Sequence, residues 1–294
     1  MKIRFGYRDI EYPDGIMGEL RDSSHLLGDV AALRQRMAED GFLYLRGLID
    51  RQKVLKARKT VLQHLEAHEA LVPDTPLLDG VMGGRSPQMM GRKGVAYHPD
   101  VLDVIESEEL FRFFDAYFAE PSITYNYKWL RAVGNEEYTG AHMDFVYMGR
   151  GSTNLHTTWV PLGDIPVEQG TLVMCPASNH LDSFARIRDT YGRLDVDRDL
   201  VEGWFTKDPM EITDKFGSHW LTTNFEAGDV MIFGMHTMHA STTNLTTRWR
   251  ISCDIRFQPA SDPVDERWKR KGTGHTAANL PVKSMEEARA EWGV

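Results

Sequence analysis

"ITYNYKWLRAV", residues Ile123 to Val133, is where the chain changes character. From there on, short β-branched and aromatic runs alternate with Gly, Pro and Asn turns. They include "HMDFVYM" from His142, "NLHTTWVPL" from Asn154, "GTLVMCPAS" from Gly170, "HWLTTNF" from His219, "GDVMIFGM" from Gly228 and "RWRISCDIRFQ" from Arg248. Strands this short and this regularly spaced predict a sandwich, barrel or jelly roll. Upstream the pattern is helical. Leu26, Val30, Leu33 and Met37 recur at helical spacing up to Gly41, and "FLYLRGL" then reads as a buried strand. A second amphipathic helix follows from Arg51, with Val54, Val61, Leu62 and Leu65 on its stripe, and a third is expected over 105–117.

These readings give one domain: a helical layer over 1–121, a jelly-roll core over 122–260 and a tail over 261–294 ending in a short helix at "SMEEARAEW". The polar stretch Leu181–Ser218 reads as an insertion over one mouth of the β-core, placed as a lid would be.

The bulk numbers exclude several classes. The chain has 294 residues, 43 acidic against 34 basic, and a net charge of −9. That balance disfavours a protein that grips nucleic acid by neutralising phosphates. It leaves room for an anionic small molecule, since a few local arginines outweigh a distant net charge. Two cysteines, Cys175 and Cys253, each sit in an apolar run, so a disulfide scaffold is not expected. The start "MKIRFGYRDIEYPDG" has no apolar core of a signal peptide, and no segment is apolar for long enough to span a bilayer. A cytoplasmic protein without membrane or nucleic-acid partners is expected; the sequence carries no signal of oligomeric state.

The chemistry concentrates in two places. In "TGAHMDFVYM", His142 and Asp144 stand two positions apart; on a strand they would point to one face. Two ligands hold a metal poorly, and "GDVMIFGMHTMHAS" offers a third in His236 or His239 beyond the end of a buried strand. Two histidines and a carboxylate with open positions are the donor set of non-haem iron(II) oxygenases. In "RWRISCDIRF", Arg248 and Arg250 alternate with apolar residues, and either guanidinium would clamp a co-substrate carboxylate. Ser252 shares the face of Arg250.

With those residues in hand, the chain resembles the phytanoyl-CoA dioxygenase family of iron(II)/2-oxoglutarate-dependent oxygenases. The resemblance rests on "HMD" at 142–144, "HASTTNLTTRWRIS" from His239 to Ser252, the block "WVPLGDIPVEQGTLVMCPASNH" between them, and "DGFLYLRGLID" near the start. It covers residues 41–258 and is weakest over 63–123 and 181–218. It implies a double-stranded β-helix, the cupin-like jelly roll, in a mainly β chain with N-terminal helices. It implies His142, Asp144 and His239 as iron(II) ligands and catalytic residues, since His239 precedes a small residue and a serine ("HAS") and His236 does not. Arg250 matches the family's 2-oxoglutarate arginine, eleven positions after that histidine, with Ser252 beside it. Trp159 matches an aromatic position near the co-substrate, and Lys128 lies near a position where some members use a polar side chain for the same ligand. Iron(II), 2-oxoglutarate and dioxygen are thus implied, acting on a small-molecule substrate. Relatives that halogenate carry a small residue in place of the carboxylate, so with Asp144 present the resemblance implies hydroxylation or another oxidation.

Other features read as structure. His64 and His68 sit one turn apart on the second helix but lack the zinc-protease pattern, so a solvated face is expected. Tyr125, Tyr127 and Trp129 are expected on one strand face as core, with a pocket wall as the lesser alternative. Tyr97, Tyr147 and Trp204 are candidates for an aromatic substrate pocket. His180 reads as a loop residue, His236 as a supporting histidine, and "KRK" at Lys269–Lys271 as solvated tail. The competing readings are a metal-binding cupin-like sensor, or an isomerase that needs no 2-oxoglutarate. Arg250 with Ser252 argues against both.

Overall fold

The computed structural model describes residues 1–85, 89, 94–269, 271–277 and 280–294. Arg270, at the centre of the short basic run, lies outside them. The N-terminal strands are β1 (Lys2–Phe5), β2 (Arg8–Glu11), β3 (Met17–Glu19) and β4 (Phe42–Leu45). The core adds β5 (Ser122–Thr124), β6 (Trp129–Val133), β7 (His156–Pro161), β8 (Leu172–Met174), β9 (Trp220–Thr222), β10 (Val230–Gly234), β11 (His239–Ser241) and β12 (Arg250–Pro259). A large sheet runs in the order β4-β10-β7-β12-β5, with β6 also paired to β12; a smaller one runs β11-β8-β9-β3. The mainly β jelly roll expected from the alternating runs is what forms. The N-terminal segment is less helical than expected, since β1 and β2 form a hairpin and β3 joins the smaller sheet through parallel pairing with β9.

Helices α1 (Val30–Asp40), α2 (Arg51–Ala67), α3 (Pro99–Ile105) and α4 (Glu108–Phe118) cover the outer face of the large sheet. Asp29 and Asp50 cap α1 and α2 by accepting backbone N–H groups, and Gly41, at φ +85°, ends α1 as expected. The helix expected over 105–117 is α4, which starts at Glu108 because Ser107 takes an extended conformation and caps it; α3, ending at Ile105, precedes it and is not among the expected helices.

Strand parity explains the core. Leu43, Leu45, Leu130, Val160, Ile232, Ile251, Cys253, Ile255 and Phe257 point outward into the helical layer. Phe42, Tyr44, Trp159, Met231 and Phe233 point inward between the sheets. On β12 the inward set is Arg250, Ser252, Asp254 and Arg256, all buried. The apolar face of this strand is therefore the outer one, and its polar face lines the interior. Among the described residues no helix is long and apolar enough to cross a membrane.

Residues 181–218 fold into α6 (Ala185–Asp189), α7 (Val196–Asp199) and α8 (Met210–Phe216), after the short α5 (Phe145–Met148). Phe184, Ile187, Tyr191, Phe205 and Ile212 are fully buried there against the smaller sheet and the C-terminal helix α9 (Met285–Trp292). Ser284 closes a capping box on α9.

Candidate metal centre

His142 and Asp144 do not share a strand. Only Ala141 and His142 pair as strand, in bridges to Thr206 and His239, and Asp144 turns into α5 with φ −66° and ψ −20°. The two polar residues still converge, because the turn brings the carboxylate back beneath the imidazole. His142 and His239 exchange both backbone hydrogen bonds at 3.0 Å, which sets their rings side by side with centroids 4.1 Å apart. Asp144 Oδ1 lies 3.7 Å from Nε2 of each ring. Among the described residues, these three gather donor atoms that could hold a metal ion, within 4.8 Å of one another.

The surroundings orient each donor. Nδ1 of His142 donates to the Gly140 carbonyl at 2.9 Å and Nδ1 of His239 to the Thr237 carbonyl at 3.0 Å, which frees both Nε2 lone pairs. Asp144 Oδ2 accepts from Arg256 at 2.9 Å and from the Thr157 hydroxyl, leaving Oδ1 to face the rings. Burial, and then the neighbouring His239, lowers His142 to about 3; burial also lowers His239. Burial alone would raise Asp144, but Arg256 and the two rings outweigh it and hold the carboxyl well below its usual range. Two neutral imidazoles and a carboxylate are the protonation state that binds a metal.

The triad opens into an inner cavity that Trp159, Arg131, Arg250, Asp254 and Arg256 also line. Arg131 pairs with Asp254 at 2.9 Å and Arg256 with Asp144. Arg250 stands apart. It is 3% exposed and donates to the Ser252 hydroxyl; its guanidinium lies 6.0 Å from the Trp159 ring centre, and its buried Nε has no hydrogen-bond partner among the described residues. Burial lowers Arg250 to about 10, so it remains cationic at neutral pH, and it forms no ion pair with a carboxylate among the described residues. A buried, half-satisfied guanidinium is costly unless an anion completes it. The donors thus fit both a divalent metal and a carboxylate-bearing ligand.

The remaining expectations separate by parity and position. Arg248 is half exposed beside Asp79 and does not line the cavity. Lys128 is buried facing away from it, on the opposite parity to Trp129 and Arg131, and its ammonium contacts Glu106 at 2.5 Å and the Tyr125 carbonyl at 2.7 Å. His236 stacks on Phe145 and meets the Gly192 carbonyl at 3.2 Å, a support for α5 outside the cavity. His68 Nδ1 donates to the His64 carbonyl on the surface of α2, and His180 meets the Glu39 carbonyl. Cys175 and Cys253 are free and buried.

A second cavity of about 470 Å³ meets the first at Arg131, Thr139, His142, Asp144 and Arg256. Tyr147 and Trp204 line it as expected, whereas Tyr97 does not. Tyr127 is a wall here; Trp129, its ring 4.6 Å away, also lines the cavity but packs with Tyr125 in a buried cluster, as expected of core. Arg131, Thr157, Asp254 and Arg256 went unnoticed in the sequence, although their alternation along β6, β7 and β12 marks them.

Fold and site together define a jelly roll built around a two-histidine, one-carboxylate centre. The phytanoyl-CoA dioxygenase (PhyH) family model matches residues 37–252, and the chain belongs to that family. It is 26% identical over 258 residues to a 1-deoxypentalenic acid 11-beta-hydroxylase of Streptomyces arenae, covering 82% of this chain and 85% of the relative. The Streptomyces exfoliatus enzyme of the same name is 28% identical over 266 residues, with the same coverage. Among solved structures, the epimerase SnoN in complex with Fe3+, alpha ketoglutarate and nogalamycin RO superposes with a TM-score of 0.58 at 20% identity, covering 86% of this chain and 91% of that one. The alpha ketoglutarate dependent carbocyclase SnoK from nogalamycin biosynthesis gives 0.56 at 14% identity, covering 90% and 96%. These two likenesses establish the fold.

Proposed function

We propose that this chain is an iron(II)- and 2-oxoglutarate-dependent oxygenase that hydroxylates a small organic molecule. His142, Asp144 and His239 hold iron(II), leaving coordination positions open. Arg250 and Ser252 take the distal carboxylate of 2-oxoglutarate, with Trp159 alongside. Iron and 2-oxoglutarate, when bound, supply dioxygen activation coupled to decarboxylation of the co-substrate to succinate. The chain's own residues orient and shield. The Gly140 and Thr237 carbonyls fix the two imidazoles, and Arg256 with Thr157 fixes the carboxylate. The aromatic walls of the outer cavity exclude water around the substrate.

The observation that carries this reading is Arg250, a buried guanidinium in the same cavity as the triad with no carboxylate paired to it among the described residues. The names of the curated relatives support hydroxylation as the outcome. The test is an anaerobic titration of metal-free protein with iron(II) and then 2-oxoglutarate, following the visible metal-to-ligand charge-transfer band. The band is expected in the native protein and in Arg248→Ala, and at a much higher 2-oxoglutarate concentration in Arg250→Ala. Iron binding without the band in native protein would replace this reading with a metal protein independent of 2-oxoglutarate.

A further inference from the structure

The outer cavity carries polar atoms that the metal centre does not use. His275, in the C-terminal tail, lines it together with Trp268, Tyr147 and Trp204. Nδ1 of His275 lies 3.0 Å from Oδ2 of Asp197 on α7, 78 residues away in sequence. The Asp197 carboxylate is fully buried, and its Oδ1 accepts from the backbone N–H groups of Thr276 at 2.7 Å and Ala277 at 2.9 Å. Arg267 donates to the same carboxylate at 2.5 Å. Burial opposes ionisation here, but the Ala277 N–H, His275 and Arg267 outweigh it and hold the carboxyl well below its usual range. Asp197 therefore fixes the hydrogen of His275 on Nδ1 and turns Nε2 into the one ring nitrogen left over. That Nε2 has no hydrogen-bond partner among the described residues.

Beside it stands Trp268, whose ring centre is 4.9 Å from that of His275. Trp268 is 2% exposed, and its Nε1–H is buried without a partner among the described residues. An unanswered indole N–H and an unanswered imidazole nitrogen on these adjoining rings want a group that both accepts and donates. A hydroxyl does both: it accepts from the indole and donates to Nε2. A ketone or a carboxylate has no hydrogen to give Nε2. The rest of the cavity is aromatic, from Tyr127, Trp129, Tyr147 and Trp204, and suits an apolar ring system.

We propose that His275, held by Asp197, and Trp268 form the substrate-recognition point of this cavity, binding the hydroxyl of an apolar, ring-bearing alcohol or phenol. Tyr147, with ring centres 5.8 Å from both His275 and His142, spaces that point from the metal centre. The body of the molecule then lies toward His142 and Asp144, where the two cavities meet. This deepens the oxygenase reading and rests on it for the reaction, though not for the binding.

The experiment is equilibrium dialysis of the full chain, loaded anaerobically with iron(II) and 2-oxoglutarate, against 2-naphthol, 2-methylnaphthalene and 2-naphthoate. The naphthol is expected to bind about tenfold more tightly than the hydrocarbon, the worth of one well-made hydrogen bond. In His275→Phe that preference should vanish while hydrocarbon binding stays within about twofold, and Trp268→Phe, a milder change, should reduce it. No preference in the native protein, or one that survives His275→Phe, would overturn the proposal. A naphthoate bound more tightly than the naphthol and lost in His275→Phe would overturn the hydroxyl assignment. The charge-transfer band is followed in the same samples. Its absence from the native protein refutes the oxygenase reading and leaves the binding result standing; its loss in His275→Phe alone would overturn the recognition role, because the residue would then act through the metal centre.

Discussion

Arg256 donates to Oδ2 of Asp144 at 2.9 Å across 112 residues of sequence, while Oδ1 of the same carboxylate faces both histidines. The pair fixes which oxygen meets the metal, and Trp129 holds the guanidinium from the other side, 4.3 Å beneath it. Replacing Arg256 by Met removes the donor and keeps much of the volume. Metal affinity is expected to fall about 10- to 100-fold, the usual cost of losing a partner of a ligand. Calorimetric titration with iron(II) or cobalt(II) under nitrogen measures it. Unchanged affinity would mean that Thr157 alone orients the carboxylate.

Asp144→Ala removes one of three donors and leaves Arg256 buried without its partner. Turnover of 2-oxoglutarate should be abolished, with succinate at background in a single-turnover assay. Substantial succinate from this variant would refute the assignment of Asp144 as a ligand.

Tyr191 ties residues 181–218 to the metal loop. Its hydroxyl accepts from the backbone N–H of Met143, between the two ligands, at 3.3 Å and donates to the Gly203 carbonyl at 2.5 Å. Tyr191→Phe leaves the buried Met143 N–H and the half-buried Gly203 carbonyl unanswered, so unfolding free energy should fall by about 1–3 kcal/mol. Metal affinity should fall with it, since the Met143 N–H sits between His142 and Asp144. Chemical denaturation and the same metal titration report the two effects; an undiminished midpoint would mean that another group satisfies Met143.

The ion pair between Glu211 on α8 and Arg289 on α9 makes acid stability testable. Arg289 contacts both carboxylate oxygens, at 3.0 and 2.6 Å, and Lys215 contacts one at 2.6 Å. Arg289 first of all lowers Glu211 from 4.5 to about 2. A carboxyl depressed on folding adds stability above its unfolded value and loses it as pH falls through the folded one. The contribution is therefore complete above about pH 4.5 and fades toward pH 2. Glu211→Gln should lower stability at pH 6 and flatten its pH dependence across that window. Parallel slopes for the two proteins between pH 4.5 and 2 would rule the pair out as a source of acid sensitivity.

Much of the fold was legible because strand and helix periodicities are local. The alternation in "RWRISCDIRFQ" separates Ile251, Cys253, Ile255 and Phe257, which meet the helices, from Arg250, Ser252, Asp254 and Arg256, which meet the cavity. The same parity excludes Lys128, which lies one residue from Trp129 and so on the other face. The sequence by itself also carries the donor types and the spacing of histidine, aspartate, histidine and arginine, because an imidazole, a carboxylate or a guanidinium brings its donor chemistry whatever the surroundings.

Only the tertiary structure decided the rest. Asp144 reaches the metal position from a turn and not a strand, since α5 begins at the next residue. His239 and not His236 enters the cavity, because the chain from β10 turns once more before pairing with His142. Arg256 finds Asp144 at 112 residues of separation, and Asp197 finds His275 at 78. Such contacts depend on which strands pair and on how residues 181–218 and the tail pack, and these are settled by burial of the whole chain. Local pattern says which face a side chain takes; only the assembled core says what stands opposite it.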